Sequence, residues 1–225
     1  MAEPSSPLKR FTALFALIAA AGIGFLLWQM NRSSTPSIPV AVTVQPSDTA
    51  GFRGYVLGAD SAAVEVIEYA DYQCPACQQF ATVEWPYVKE RLVQSGKVRW
   101  VFRDFPLTQH QWARLAAHAT ACGQEQNKYW ELQEEIFATQ PEWQFSRDAG
   151  PMFRTGAQKV GMDVSAYDEC MNSLKYAGRI QAASAEGIRL GVGSTPTFII
   201  GGRLYPGIIP YDRLRAIVDS LSANP

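Results

Sequence analysis

The sequence predicts an α/β fold built from a parallel β-α-β unit, a long helical insertion, a hairpin and a closing helix. Three observations predict it. A β-branched apolar run, Ala62 to Ala70, is separated by a helical stretch from a second such run, Lys97 to Phe102. Apolar residues then recur at helical spacing from about Gln109 to Gly191. Finally, "TFII" (Thr197 to Ile200) and "RLYPGII" flank Gly201-Gly202, a pair suited to a two-residue hairpin turn.

In chain order, the first element stands apart. Lys9 and Arg10 precede Phe11 to Met30, which carries no charge. A run of about 20 apolar residues matches the hydrocarbon thickness of a bilayer. Positive charge on its N-terminal side keeps that side in the cytoplasm. Residues 1–30 are therefore expected to be a transmembrane anchor. The alternative is a signal peptide cleaved near Ala19-Ala20-Ala21. Either one exports the chain beyond residue 31. Residues 31–51, rich in Ser, Thr and Pro, read as a flexible linker.

The globular part, 52–225, begins with the buried strand Ala62 to Ala70. Strand alternation puts Val64, Val66 and Glu68 on one face. Cys74 to about Ser95 reads as a helix stopped by Gly96, and Lys97 to Phe102 as the second strand. This order favours parallel pairing and a right-handed crossover. The helical insertion covers about 105–191, with Trp112, Leu115, Ala116 and Ala119 at helical spacing. Tyr211 to Leu221 is the closing amphipathic helix.

Composition narrows the function classes. The chain has 225 residues, 47% hydrophobic and 18% charged, with net charge −1. This composition supports a packed core and argues against bulk disorder. No basic stretch points to nucleic acid, and no acidic run to a solvating tail.

The chemistry concentrates in "EYADYQCPACQQF", Glu68 to Phe80. A haem-attachment motif needs His after the second cysteine, and residue 78 is Gln. Structural zinc needs four ligands, whereas Cys122, Cys170, His110 and His118 show no ligand spacing. No metal or other cofactor is expected. A purely structural Cys74–Cys77 bond closes too small a loop to stabilise much. A redox dithiol remains. Cys74 would open a helix, where unpaired N–H groups and the dipole favour an exposed thiolate. Pro75 just inside the helix removes a donor that would lack a partner anyway. Cys77 lies one turn further in.

"VLGADSAAVEVIEYADYQCPACQQF", "FRDFPLTQHQWARLAAHATAC", "YWELQEEIF" and "GVGSTPTFIIGG" together resemble, in order, the DsbA-like thiol–disulfide oxidoreductases. The resemblance covers about residues 54–222. It implies a thioredoxin-like fold with an inserted helical subdomain, here preceded by the N-terminal helix. It implies that Cys74 is the nucleophile and Cys77 the buried resolving partner. Pro196 matches a cis-proline facing the thiols, and Thr195 the residue whose backbone pairs with a client chain. Glu68 matches an acid that exchanges protons with Cys77; the alternative is a strand-end glutamate reaching solvent. The implied activity is disulfide formation in reduced exported polypeptides outside the cytoplasm, in the periplasm or on the outer membrane face. The recharging partner would be a membrane quinone-linked thiol oxidase, DsbB-like or vitamin K epoxide reductase-like. Ala76, before the second cysteine, offers the thiolate no donor, so a reductase or isomerase stays open. So does a non-catalytic client-holding module.

Cys122 and Cys170 lie in the helical middle of an exported chain with an even cysteine count, which favours a structural disulfide. Closing a loop of roughly 49 residues removes about 4 kcal/mol of unfolded-chain entropy at most. Two free thiols or a second exchange pair are the alternatives. His110 is expected as a capping or packing histidine.

Overall fold

A computed structural model describes residues 7–30, 36, 38 and 42–223. The chain divides into two compact units, 1–35 and 36–225. In the first, helix α1 runs over Pro7–Met30. Its side chains from Phe11 to Phe25 are exposed. Among the described residues, no helix is long and apolar enough to cross a membrane. The expected anchor therefore finds a helix at its position but not a span.

The second unit begins earlier than the sequence predicts. The expected linker carries a short helix, α2 (Pro46–Thr49), and Ile38 packs partly buried against the helical core. Its remaining positions at 31–35, 37 and 39–41 lie outside the described residues. A strand not foreseen, β1 (Tyr55–Leu57), comes next. At three residues it is too short to show a period. Tyr55 is nonetheless buried and stacks on Tyr129 at 3.7 Å between ring centroids.

Strand β2 (Val64–Ala70) leads into α3 (Pro75–Gln79) and then α4 (Trp85–Val88). The expected single helix is widened twice, over Phe80–Glu84 and Lys89–Val93. Pro86 has no N–H for the preceding turn, and just before it Trp85 N–H bonds Phe80 O, five residues back. Gly96, at φ 79°, ends the run. Strand β3 (Val98–Asp104) returns parallel to β2, with Val64 opposite Val98 and Ala70 opposite Asp104.

Helices α5 (Ala113–Gln124), α6 (Tyr129–Ala138), α7 (Gln140–Trp143), α8 (Gly150–Lys159), α9 (Val164–Ser173) and α10 (Ala177–Arg189) fill the insertion. The chain re-enters the sheet as β4 (Thr197–Ile200), turns at Gly201-Gly202 and leaves as β5 (Arg203–Pro206). Both glycines have positive φ, 55° and 74°, as the tight turn requires. Helix α11 (Tyr211–Ala223) closes the fold. Among the described residues, five strands form one mixed sheet in the order β1-β3-β2-β4-β5. This is the predicted α/β sheet with a helical insertion.

Among the described residues, two large apolar clusters hold the layers, beside a smaller one of Tyr69, Phe105 and Val192. One joins Val66, Trp100 and Phe198 of the central strands to Trp85 of α4 and Leu214 and Val218 of α11. The other fills the helical insertion and reaches Tyr72, Cys74 and Cys77. Each fully buried large side chain contributes roughly 1.5–3 kcal/mol relative to an exposed one. The thiols thus lie where β2 ends and the insertion packs on the sheet.

Candidate active site

Cys74 caps the N-terminus of α3 with extended backbone angles, φ −74° and ψ 124°, and Pro75 takes the first helical position. Its amide donates to Asp71 O at 3.1 Å, and its carbonyl accepts from Gln78 N at 3.0 Å. The sulfur is less open than the sequence predicts, the residue being 7% exposed. The cause is local: the thiol donates to the Thr195 carbonyl at 3.3 Å, which covers it. The Thr195–Pro196 peptide is cis. The Thr195 hydroxyl is buried and has no other partner among the described residues, so it can donate to a thiolate.

These surroundings set the charge of Cys74. A hydrogen bond from the Cys77 thiol lowers its pKa most, burial opposes this, and a bond from Thr195 and the amides of Cys77 and Ala76 add to the lowering, leaving it at about 6. Cys77 moves the other way. It is fully buried, and burial followed by the neighbouring Cys74 pushes its thiol well up. Its sulfur accepts the Asp71 amide at 3.5 Å. One thiol is thus prepared to ionise near neutrality while its neighbour keeps its proton.

Glu68 lies in β2, opposite Phe102 on one side and Phe198 on the other. It is 5% exposed and does not reach solvent as a strand-end glutamate would. Burial raises its pKa to about 8, against the bond it accepts from Trp100 Nε1 at 3.2 Å. Its charge in turn acts on Cys77. The structure therefore gathers Cys74, Cys77, Glu68, Thr195 and Pro196 into one neighbourhood. Cys122 and Cys170 instead form a disulfide, Sγ–Sγ 2.07 Å, joining α5 to α9 inside the helical block. Buried His118 is beside it, Nδ1 lying 3.6 Å from Cys122 Sγ, and burial drives its pKa down to about 4. Among the described residues, no cluster of His, Cys, Asp or Glu could hold a metal ion.

Several residues around the thiols escape sequence reasoning. Gln140 Nε2 donates to Tyr72 O at 2.7 Å and Cys74 O at 3.0 Å, fixing the loop before α3 from the helical side. Asp71 and His110 pair at 2.8 Å. Asp104, at the end of β3, is buried, and burial raises its pKa to about 7. A position two or three residues before a Cys-x-x-Cys pair is the one signal that singles out Asp71. The others have no local signal, because their partners are distant in sequence.

Comparison with known proteins agrees with this fold. A family profile described as thioredoxin matches residues 52–220. A curated relative, Na(+)/H(+) antiporter NhaA 3 of Salinispora tropica, is 34% identical over 92% of this chain and 32% of its own length. The chain spans about a third of the length of that relative. Disulfide bond formation protein D of Bacillus subtilis is 24% identical, with 80% of each chain covered. The crystal structure of Wolbachia pipientis α-DsbA1 shares the fold at a TM-score of 0.69, covering 76% of this chain and 92% of that one at 23% identity.

Proposed function

The chain belongs to the thioredoxin family, among its DsbA-like members, and from that premise we propose that it is a thiol–disulfide oxidoreductase that forms disulfides in exported proteins. The observation that carries this reading is Cys74: a sulfur of lowered pKa at a helix head, 3.3 Å from the carbonyl before a cis-proline. In the oxidising direction the protein begins as the Cys74–Cys77 disulfide. A client thiolate attacks Cys74 Sγ, and Cys77 leaves and takes up a proton. Glu68 is the nearby acid able to supply it, since its carboxyl keeps its proton up to about pH 8. A second client thiolate then attacks the client sulfur of the mixed disulfide and releases Cys74 as thiolate. Two electrons pass from client to enzyme, leaving the dithiol present in this structure. The Thr195 backbone beside Pro196 is the edge on which a client chain would lie.

This chemistry needs an oxidising compartment. We therefore place the domain outside the cytoplasm, with a membrane-embedded thiol oxidase taking its electrons. The charge-free run from Phe11 to Met30 behind Lys9 and Arg10 supports export, either as an anchor or as a cleaved leader. Cys122 and Cys170 are assigned a structural role, because their bond is buried away from solvent. The test is oxidative refolding of a reduced client by the disulfide form, with Cys74→Ser as control. Refolding that is faster than the control supports the reading. Equal rates would leave the chain a holder of clients rather than an oxidant, and reduction of client disulfides would reverse its direction.

A further inference from the structure

Asp71 and His110 belong to none of the roles above, yet Asp71 is bonded through its backbone to both cysteines and through its carboxylate to His110. His110 Nδ1 lies 2.8 Å from Asp71 Oδ2. The same oxygen accepts from Leu107 N at 2.7 Å, while Oδ1 accepts from Gln73 N at 2.7 Å. The carboxylate is fully buried and the imidazole is 19% exposed. The backbone of Asp71 is equally engaged: its carbonyl holds the Cys74 amide, and its amide donates to Cys77 Sγ. Gln73 Oε1 accepts the Trp112 amide at 2.7 Å. The segment from Leu107 to Trp112 is thus stitched onto the loop that carries the thiols. A buried carboxylate three residues before Cys74 would oppose ionisation of that thiol, and a cation bonded to the carboxylate would cancel the effect.

We propose that Asp71 and His110 form an ion pair that acts as the charge partner of Cys74 and makes its reactivity depend on the protonation of His110. With His110 protonated, the pair is neutral as a whole and its imidazolium favours the thiolate. With His110 neutral, the buried Asp71 carboxylate opposes the thiolate without balance. Ala76 offers Cys74 only its backbone amide, so the Cys-x-x-Cys segment carries no cationic side chain and any balancing positive charge lies outside it. The coupling is visible from the other side: the bond to Asp71 raises the pKa of His110 most, burial opposes it, and the charges of Asp71 and Cys74 raise it further. Such coupling is mutual, so the imidazolium favours the thiolate as the thiolate favours the imidazolium. The ionisable groups facing His110 are Asp71, on the loop after β2, and Cys74, at the head of α3. Behind Cys74, Cys77 keeps its proton, and Glu68 acts on Cys77. From the helical side, Gln144 and Ser146 bond Gln73 and Trp112 through their carbonyls and carry no charge. Cys74 and His110 therefore titrate as a coupled pair.

The inference rests on the reading of Cys74 as the exchanging thiol, and its test is kept separate from client turnover. The rate of Cys74 alkylation by iodoacetamide is followed against pH in the wild type, His110→Gln and His110→Lys, with Cys74→Ser as blank. Gln keeps a hydrogen-bond donor toward Asp71 and loses the charge; Lys keeps the charge. His110→Gln should raise the midpoint by about half a unit to one unit, with His110→Lys near the wild type. The glutathione ratio that half-reduces the disulfide should then shift about three- to ten-fold toward the reductant in His110→Gln, because the reduced form loses its stabilised thiolate. An unchanged midpoint in His110→Gln overturns the proposal. An equal rise in both variants also overturns it, since packing rather than charge would then be responsible. Client oxidation is scored on its own: its absence in the wild type overturns the proposed activity, while the midpoints still decide the charge partner.

Discussion

The difference between Cys74 and Cys77 arises within one helical turn. Both sulfurs are shielded, but several donors are aimed at Cys74 and only the Asp71 amide at fully buried Cys77, so only Cys74 ionises easily. Brief alkylation of the native dithiol protein at pH 7 should therefore label Cys74 and spare Cys77, as peptide mapping will show. Labelling of both at equal rates would contradict the assigned order of the thiols. Glu68 has the opposite sign from Cys74. Its folded pKa, about 8, lies above the ordinary 4.5, so its burial is without penalty below the ordinary value. The penalty grows as pH rises toward 8, where the unfolded chain ionises and the folded one does not. Glu68→Gln should therefore stabilise the fold by up to about 3 kcal/mol at pH 7 and by little at pH 4, read from urea midpoints. The same variant should slow thiol exchange, because Cys77 loses its proton source; unchanged exchange would remove Glu68 from the site. These residues were legible because spacing and strand alternation are local patterns. Asp71, His110 and Gln140 were not, because their partners are 39 and 66 positions away along the chain and meet only after the insertion packs.

Among the elements, those with a sustained period were legible and those defined by neighbours were not. Strands β2, β3 and β4 are apolar runs long enough to recognise, and the Gly201-Gly202 turn announces the hairpin. Strand β1 forms only because β3 offers it an edge, with Tyr55 opposite Phe102. The widened turn just before Pro86 reflects one missing N–H, which a periodic reading of 74–95 averages away. Helix α10 shows how packing imposes a residue choice without a sequence signal. At Gly187 an added Cβ would lie 2.8 Å from the Phe105 ring and 3.0 Å from that of Tyr69. Those rings meet edge to face beneath the helix and are buried, so neither can yield cheaply. Gly187→Val should destabilise by about 2–3 kcal/mol as the helix is forced off the sheet. A urea midpoint within error of the wild type would show that α10 can shift freely.

For the whole molecule, the helix that follows β2 supplies the thiols and the helical insertion supplies much of what holds them in place. Gln140, which fixes the carbonyls of Tyr72 and Cys74, lies inside the loop closed by the Cys122–Cys170 bond, a sequence separation of 48 that contains α6, α7 and α8. That bond shortens the excursions of the unfolded chain and so acts on the unfolded state more than on the native contacts. In the folded protein, Leu132, Ile136, Phe137 and Trp143 are buried, and their packing keeps Gln140 in position. Cys122→Ala with Cys170→Ala should therefore lower stability by up to about 4 kcal/mol in non-reducing urea unfolding. The pH midpoint of Cys74 alkylation should not move, because its donors come from α3 and Thr195 rather than from the disulfide. A shifted midpoint in the double variant would mean that the second cysteine pair tunes the first, and its structural assignment would then have to be abandoned.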